Sequence, residues 1–211
     1  MNGAMIRTIL TAASLFLGTA LVAGPAAVAW DIGPVVRGEN RSVGMPETMY
    51  ESSKGAAFTF PRRGGQVKYV TTDVRTLEGA SSITFRYRID AEPGARIVSR
   101  EYPGRPATVS LYFQRQGDNW TARGRYETYR WYVKEPYMLP LTPGVHEVTV
   151  DMKDDWRAVF RSTSDGDPRE FAAAVRNASE VGFVFGSAQG RGHGVFATGQ
   201  ATFTLLEFDV R

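Results

Sequence analysis

The chain has 211 residues, of which 43% are hydrophobic, and its 25 lysine and arginine residues against 22 acidic residues give a formal net charge of +3. This length suits one domain with a sizeable core, and the near-balanced charge argues against a dedicated nucleic-acid-binding protein. The sequence contains no cysteine, which excludes disulfides, thiolate metal ligands and a cysteine nucleophile.

The first 29 residues have the pattern of an export signal. Arg7 is their only charge, an apolar run follows it, and Ala27–Ala29 offers small residues for cleavage. We predict a signal peptide over residues 1–29, an exported protein that is periplasmic or extracellular, and no membrane span after cleavage; an uncleaved membrane anchor is the alternative. Residues 30–55 are weakly patterned and are predicted to wrap an edge of one domain over residues 56–211.

Alternating apolar and polar residues predict β-strands along this domain. In "SSITFRYRID", Ile83, Phe85, Tyr87 and Ile89 fall on one face, and arginine and threonine residues fall on the other. Turn-forming residues separate it from the other predicted strands, which are "AAFTF", "QVKYVTT", "ATVSLYFQRQ", "ETYRWYV", "HEVTVDM", "DWRAVF", "EVGFVFG" and "ATFTLLEFDV".

The stretch "DPREFAAAVRNA" has the pattern of a helix. Asp167 can cap it, Pro168 suits its first turn, and Phe171, Ala174, Val175 and Ala178 form an apolar stripe. One short helix among many alternating strands predicts an all-β fold, an antiparallel β-sandwich of about eight to ten strands.

A glycine-rich stretch near the C-terminus, "GRGHGVFATG", contains the spacing G-x-G-x-x-A. A strand-like segment follows it, so no helix is placed to bind a pyrophosphate, and the dinucleotide-binding interpretation fails. We predict a tight connection between two strands, in which glycine supplies unusual backbone conformations. Three roles are open for His193 in this loop: a structural residue, a polar ligand contact and, least favoured, a catalytic group.

Aromatic and arginine residues concentrate in the middle of the chain. If the strands pair as neighbours, one sheet face carries Arg86, Arg88, Tyr112, Gln114, Arg130 and Tyr132. Trp120 follows turn residues and is a candidate for exposure. Aromatic rings that stack on sugars, with guanidinium and amide groups beside them, suit glycan recognition. The alternative is an ordinary solvated or helix-covered sheet face.

The C-terminal strand ends in "LLEFDVR", where Glu207 and Asp209 alternate with apolar residues. These carboxylates are candidate ligands for a structural calcium ion. The alternative is the solvated face of a strand, and no other cofactor is predicted.

The mature region resembles the galactose-binding-like jelly-roll superfamily, to which many carbohydrate-binding modules belong. The resemblance covers most of Phe58 to Val210 and rests on the strand pattern, the glycine-rich loop and the terminal "FTLLEFDV". It implies a jelly-roll sandwich that binds ligands through loops or a concave face, and often a calcium ion held near the first and last strands. The stretch "GDNWTARGRYETYRWYV" also resembles part of a bacterial exported family, which implies no activity.

These observations predict an exported, non-enzymatic protein that binds a polysaccharide or oligosaccharide, with an acidic glycan suggested by the arginines. The predicted ligand-binding residues are Arg86, Arg88, Tyr112, Gln114, Trp120, Arg130, Tyr132 and His193. Two other classes stay open. One is a polysaccharide lyase or hydrolase that uses a tyrosine or His193 as acid or base, and the other is a structural or assembly protein of the cell envelope.

Overall fold

A computed structural model describes residues 29–154 and 156–211. The predicted signal peptide, residues 1–29, lies outside the described residues except for its last position, so its cleavage stays a prediction. Across the residues that the structure describes, no helix is both long enough and apolar enough to cross a lipid bilayer.

The described residues form sixteen β-strands, one α-helix and two short 3-10 helices. The first nine strands are β1 (Asp31–Gly33), β2 (Val35–Val36), β3 (Glu39–Asn40), β4 (Tyr50–Ser52), β5 (Gly55–Thr59), β6 (Tyr69–Asp73), β7 (Ser82–Ala91), β8 (Ile97–Ser99) and β9 (Thr108–Arg115). The others are β10 (Arg130–Val133), β11 (Leu139–Pro140), β12 (Gly144–Asp151), β13 (Trp156–Ala158), β14 (Ala178–Gly186), β15 (Val195–Ala197) and β16 (Ala201–Val210). Helix α1 spans Pro168–Arg176, and the 3-10 helices span Gly124–Thr128 and Glu135–Tyr137.

The two main sheets are antiparallel and follow a jelly-roll order. The larger sheet runs β1-β6-β14-β9-β10-β13 with β11 beside β9, and the smaller sheet runs β12-β7-β16-β5-β4. Along the eight strands of four or more residues, the chain changes sheet at every step except from β9 to β10. This is the double Greek key of a jelly roll. The predicted all-β sandwich is therefore confirmed, and the additional strands are short pieces of two or three residues.

Aromatic side chains from the two sheets meet in the core. Phe85 of β7 stacks on Phe183 of β14 with 4.7 Å between ring centroids. Phe58 of β5 meets Phe185 of β14 edge-on at 5.7 Å. The predicted inward face of β7 is confirmed, because Ile83, Phe85, Tyr87 and Ile89 are all at most 1% exposed. Such pairs add specific geometry to the burial of apolar area that stabilises the sandwich.

The segment over residues 30–55 contributes an edge strand to each sheet. β1 pairs with β6 in the larger sheet, and β4 pairs with β5 in the smaller one. Ile32 anchors β1 in the core with 1% exposure. The residues between these two strands reach the outer face of the larger sheet, where Pro34, Val36 and Arg41 border a cleft.

Helix α1 packs through the predicted apolar face. Phe171 meets Trp131 of β10 edge-on at 5.0 Å between centroids, and Ala174 is fully buried. Asp167 occupies the N-cap position, but its side chain makes no capping hydrogen bond. The helix ends before Ala178, which begins β14 instead of extending the apolar stripe.

Candidate functional site

The outer face of the larger sheet carries polar and aromatic side chains across its strands. Strand register aligns one row as Asp31, Thr71, Gly182, Tyr112, Tyr132 and Arg157. A second row is Asp73, Glu180, Gln114 and Arg130. In both rows the acids lie toward the β1 edge and the arginines toward the β13 edge, so the face is electrostatically divided.

The connection between β9 and β10 folds over this face and places Trp120 against it. Trp120 has a φ of 65°, which is uncommon for a residue other than glycine. Its backbone N–H donates a hydrogen bond to the Asp118 carboxylate at 3.1 Å. Its indole meets the Tyr69 ring edge-on with 5.3 Å between centroids. The β9–β10 connection therefore covers part of the outer face of the larger sheet.

A cleft of about 600 Å³ lies between Trp120 and the glycine-rich loop that follows β14. Its aromatic lining consists of Tyr69, Trp120, Tyr132 and Phe160. Its cationic lining consists of Arg41, Lys68, Arg130, Arg157 and Arg191. His193 also lines it, with a pKa that burial and Lys68 lower. Within the described chain, Glu135 is the one acidic residue that lines it. The volume falls in the range of small-molecule sites, and the charge favours an anionic ligand.

Arg130 forms a buried ion pair beneath the cleft. Its Nε lies 2.9 Å from Oδ2 of Asp118, and the two side chains are 9% and 0% exposed. Its Cζ lies 4.9 Å from the centroid of the Trp120 ring, a cation–π distance. Arg130 is thus held by Asp118 and Trp120, with its charge largely compensated inside the protein.

Two tyrosines share a hydrogen bond in the cleft wall. The Oη atoms of Tyr69 and Tyr132 lie 3.0 Å apart, and both side chains are buried. Burial raises the pKa of Tyr69 and also the pKa of Tyr132. Both phenols therefore stay protonated at neutral pH and act as neutral hydrogen-bonding groups.

The glycine-rich loop contributes Arg191, Gly192 and His193 to the cleft lining. Gly192 has a φ of +73°, and a Cβ at this position would lie 2.3 Å from the Tyr69 Oη. Only glycine allows the backbone to approach the tyrosine so closely. The imidazole Nδ1 of His193 contacts the Glu101 carboxylate, and both side chains are about half exposed. The loop joins β14 to β15, which pairs with β8.

Arg157 and Arg191 present guanidinium nitrogens that have no internal partner. Arg157 lies on β13 opposite Tyr132 of β10, and Arg191 lies in the glycine-rich loop. The Nε of Arg157, and the Nε and Nη2 of Arg191, are buried without a hydrogen bond. Burial, together with the positive charge of Arg157, lowers the pKa of Arg191. Nε and Nη2 of Arg130 are also buried without a hydrogen bond, but Arg130 has Asp118 as a counter-ion, whereas Arg157 and Arg191 form no ion pair within the described residues.

The structure gathers four of the predicted residues, Trp120, Arg130, Tyr132 and His193, around the cleft. Tyr112 and Gln114 lie on the same outer face, but they are only 0% and 4% exposed. The Tyr112 hydroxyl donates to the Gln114 side-chain oxygen beneath the cleft. Tyr112 and Gln114 therefore lie on the expected face, but the accessible positions expected of ligand-binding residues are wrong for them, because Trp120 and the neighbouring tyrosines cover this part of the sheet.

The expectation that Arg86 and Arg88 share this face is wrong. Both lie on β7, which pairs with β12 and β16 in the smaller sheet. Arg86 lies 3.5 Å from Glu147 on β12 in an exposed ion pair. Sequence alternation assigns a face within one sheet, but it does not show which sheet a strand joins.

The two candidate calcium ligands lie on β16. Glu207 stands in register with Arg86 of β7. The Asp209 Oδ2 accepts a hydrogen bond from the Arg211 Nε at 2.6 Å. Among the described residues, no three histidine, cysteine or acidic side chains are grouped to hold a metal ion. A calcium site at Glu207 and Asp209 stays a prediction.

The sequence does not predict six of the aromatic and basic residues in the cleft lining, which are Arg41, Lys68, Tyr69, Arg157, Phe160 and Arg191. Arg157 had a detectable signal, because it alternates with the buried Trp156 and Ala158 in "DWRAVF". Phe160 ends the same stretch, and its 57% exposure is unusual for phenylalanine. Arg191 sits in a loop, where no periodicity indicates the direction of a side chain.

Two solved structures are similar to this chain over most of its length. No protein-family model matches the chain, and no curated protein matches it significantly. A solved structure described as the xylan-binding module CBM15 is 16% identical, with a TM-score of 0.39 over 87% of this chain and 95% of that chain. A non-crystalline cellulose specific carbohydrate-binding module, CBM28, is 12% identical, with a TM-score of 0.41 over 85% and 86% of the two chains. Similarity at this level assigns no ligand to the present chain.

Proposed function

We propose that this protein is an exported glycan-binding protein whose ligand occupies the cleft between Trp120 and the glycine-rich loop. The observation that carries the proposal is the combination of aromatic rings and cationic side chains around a single cleft. Aromatic faces contact the apolar faces of sugar rings, and the polar groups fix the orientation of hydroxyls and charged substituents.

Phe160 gives the cleft an exposed apolar surface at its border. The side chain is 57% exposed, and it follows Ala158 at the end of β13. A large exposed aromatic residue beside a polar cleft is suited to stack on a sugar ring that extends out of it. Trp120 is half-buried and supports the cleft as well as lining it.

The charge of the lining favours an acidic glycan over a neutral one. Arg41 and Lys68 lie close enough that Arg41, in addition to burial, lowers the pKa of Lys68. Burial and the charge of Arg157 likewise lower the pKa of Arg191. Cations that repel one another around a cleft are stabilised by a bound anion, so uronic-acid polysaccharides are the ligands of choice for a first test.

The protonation of the tyrosines disfavours one catalytic role, that of a general base. A tyrosine that abstracts a proton must first ionise, and burial raises the pKa of Tyr69 and the pKa of Tyr132. The general-base role required of a lyase is therefore disfavoured for both. Their hydroxyls are hydrogen-bonded to each other and contribute neutral polar groups to the cleft wall.

Calorimetric titration of purified residues 30–211 tests the proposal. Oligosaccharides of a uronic acid are compared with neutral xylan and glucan oligosaccharides of the same length, and product formation is followed in parallel. We expect saturable binding of the uronic-acid series without cleavage. Phe160→Ala should weaken this binding, whereas Tyr50→Ala, which removes an exposed aromatic ring on β4, should not. Absence of binding to every oligosaccharide would refute the proposed function.

Export is tested separately on the full chain. Expression in a bacterium with an export pathway should give a product outside the cytoplasm whose N-terminus is Trp30. Recovery of uncleaved protein in the membrane fraction would contradict the predicted signal peptide.

A further inference from the structure

Two arginines from different parts of the chain meet at one wall of the cleft. Arg157 comes from the edge strand β13, where it stands opposite Tyr132. Arg191 comes from the glycine-rich loop, next to Gly192. The fold therefore brings two guanidinium groups together that are 34 positions apart in the sequence, at the basic end of the sheet face.

The hydrogen-bonding capacity of this pair is not satisfied inside the protein. Three of its nitrogens, Nε of Arg157 and Nε and Nη2 of Arg191, are buried without a hydrogen-bond partner. In the described part of the chain, neither residue forms an ion pair, whereas Arg130 lies 2.9 Å from Asp118. Buried N–H donors that lack a partner are costly, and two adjacent guanidinium groups also repel each other.

Glu135 compensates this charge only from a distance. It lines the same cleft, and its carboxylate partly offsets the effects that lower the pKa of Arg191. The positive charge at this wall therefore exceeds the negative charge nearby. A ligand that brings its own anionic oxygens would both neutralise the pair and satisfy the open donors.

We propose that Arg157 and Arg191 form a subsite for the carboxylate of an acidic sugar in the bound glycan. This proposal rests on the proposed function, because it assigns the chemical group that the cleft recognises. The planar guanidinium fork matches a carboxylate in a bidentate geometry. Hydrogen bonds between charged partners contribute more than neutral ones, so the subsite separates uronic acids from their neutral counterparts.

The experiment uses one sugar chain in two forms. A galacturonic acid oligosaccharide and its methyl ester have the same rings, but the ester lacks the negative charge. Calorimetric titration of the wild-type protein should show the acid binding about 10- to 100-fold more tightly than the ester. Arg157→Gln and Arg191→Gln should each reduce this ratio toward one, because each weakens the binding of the acid more than the binding of the ester.

Two further variants control this result. Arg191→Lys keeps the charge but removes the fork, so it should retain only part of the preference for the acid. Arg86→Gln removes an exposed arginine on the smaller sheet and should leave the ratio unchanged. The urea midpoints of both glutamine variants should equal or exceed that of the wild type, because the substitution relieves repulsion and buried unpaired donors.

Failure of the subsite is distinguishable from failure of the proposed function. If the acid and the ester bind equally well, or if the ratio survives both glutamine substitutions, glycan binding stands and the carboxylate subsite is refuted. If neither form binds the wild-type protein, both proposals are refuted. Equal affinity for a sulfated oligosaccharide of the same length would also contradict recognition of a carboxylate.

Discussion

The indole ring of Trp120 lies over the guanidinium group of Arg130, with 4.9 Å between the ring centroid and Cζ. The same guanidinium contacts Asp118, and Asp118 accepts a hydrogen bond from the backbone N–H of Trp120. These three residues form a closed set of contacts that fixes the β9–β10 connection on the sheet. The shape of the cleft depends on this set.

Replacing Trp120 by alanine should therefore lower stability as well as affinity. The substitution removes the cation–π contact with Arg130 and the edge-on contact with Tyr69, and we expect a loss of about 2 kcal/mol in the free energy of unfolding. Trp120→Phe keeps an aromatic ring and should lose less free energy of unfolding than Trp120→Ala. Urea denaturation measures both variants. A loss for Trp120→Ala no larger than that for the exposed control Tyr50→Ala would contradict this role.

The Asp118–Arg130 pair makes a second prediction. Asp118→Asn leaves a buried guanidinium without its counter-ion, which should reduce the free energy of unfolding by about 3 kcal/mol. The matched control is Glu39→Gln, which breaks the ion pair with Arg41 at 2.9 Å where both side chains are exposed. That control should change stability by less than about 1 kcal/mol. If Asp118→Asn and Glu39→Gln lowered the free energy of unfolding equally in a urea titration, the burial of the Asp118–Arg130 pair would not explain its contribution.

Sequence alternation was sufficient to predict most of the fold. β7 extends over ten residues with one buried face, and its period of two is a direct consequence of strand geometry. β16 also extends over ten residues, but an irregularity between Leu205 and Glu207 shifts its alternation. The helix was also predictable, because Phe171, Ala174 and Val175 have helical spacing. What alternation lacks is information about which strands become neighbours, and this is why Arg86 and Arg88 were placed on the wrong sheet.

The candidate site was predictable only in part. Arg130 and Tyr132 lie on a regular strand, so their direction followed from the pattern, but their burial did not. Burial depends on Trp120 and on the loop around Gly192, whose positions are set by tertiary contacts and by backbone conformations with positive φ. Loop residues such as Arg191 have no periodicity, and only the assembled fold shows where they lie.

Glu180 makes the stability of the protein pH-dependent. Burial raises the pKa of this carboxyl, although a hydrogen bond from Thr71 acts in the opposite direction. The unfolded chain therefore releases this proton at a lower pH than the folded protein does. The free energy of unfolding consequently falls as the pH rises from the unfolded-state pKa of Glu180 through its folded-state pKa.

Glu180→Gln should consequently raise the melting temperature at pH 7, and the difference from wild type should disappear below about pH 4, where both states are protonated. Glu78→Gln, at an exposed position, serves as the control and should show no such pH dependence. Melting curves between pH 3 and 8 test this, and a lower melting temperature for Glu180→Gln at pH 7 would contradict the sign.

Gly192 should not tolerate a side chain. Alanine would be strained at a φ of +73°, and its Cβ would lie 2.3 Å from the Tyr69 Oη. We expect Gly192→Ala to destabilise the protein by at least about 2 kcal/mol and to weaken glycan binding, because Tyr69 or the loop must move. Gly64→Ala, where a Cβ meets no atom within 4 Å, is the control for thermal unfolding. Comparable melting temperatures for the two variants would disprove the close approach.

The hydrogen bond between Tyr69 and Tyr132 makes the last prediction, for a double-mutant cycle. Each single substitution by phenylalanine removes one hydroxyl and leaves the other without this partner in a buried site, which should cost about 2 kcal/mol. The double variant removes both hydroxyls, so it should cost less than the sum of the two by about 1 kcal/mol or more. Tyr87→Phe is the control, because the Tyr87 Oη donates to the Pro140 carbonyl at 2.6 Å and should combine additively with Tyr132→Phe. Additive effects for Tyr69 and Tyr132 in urea denaturation would mean that their 3.0 Å contact contributes no coupling energy.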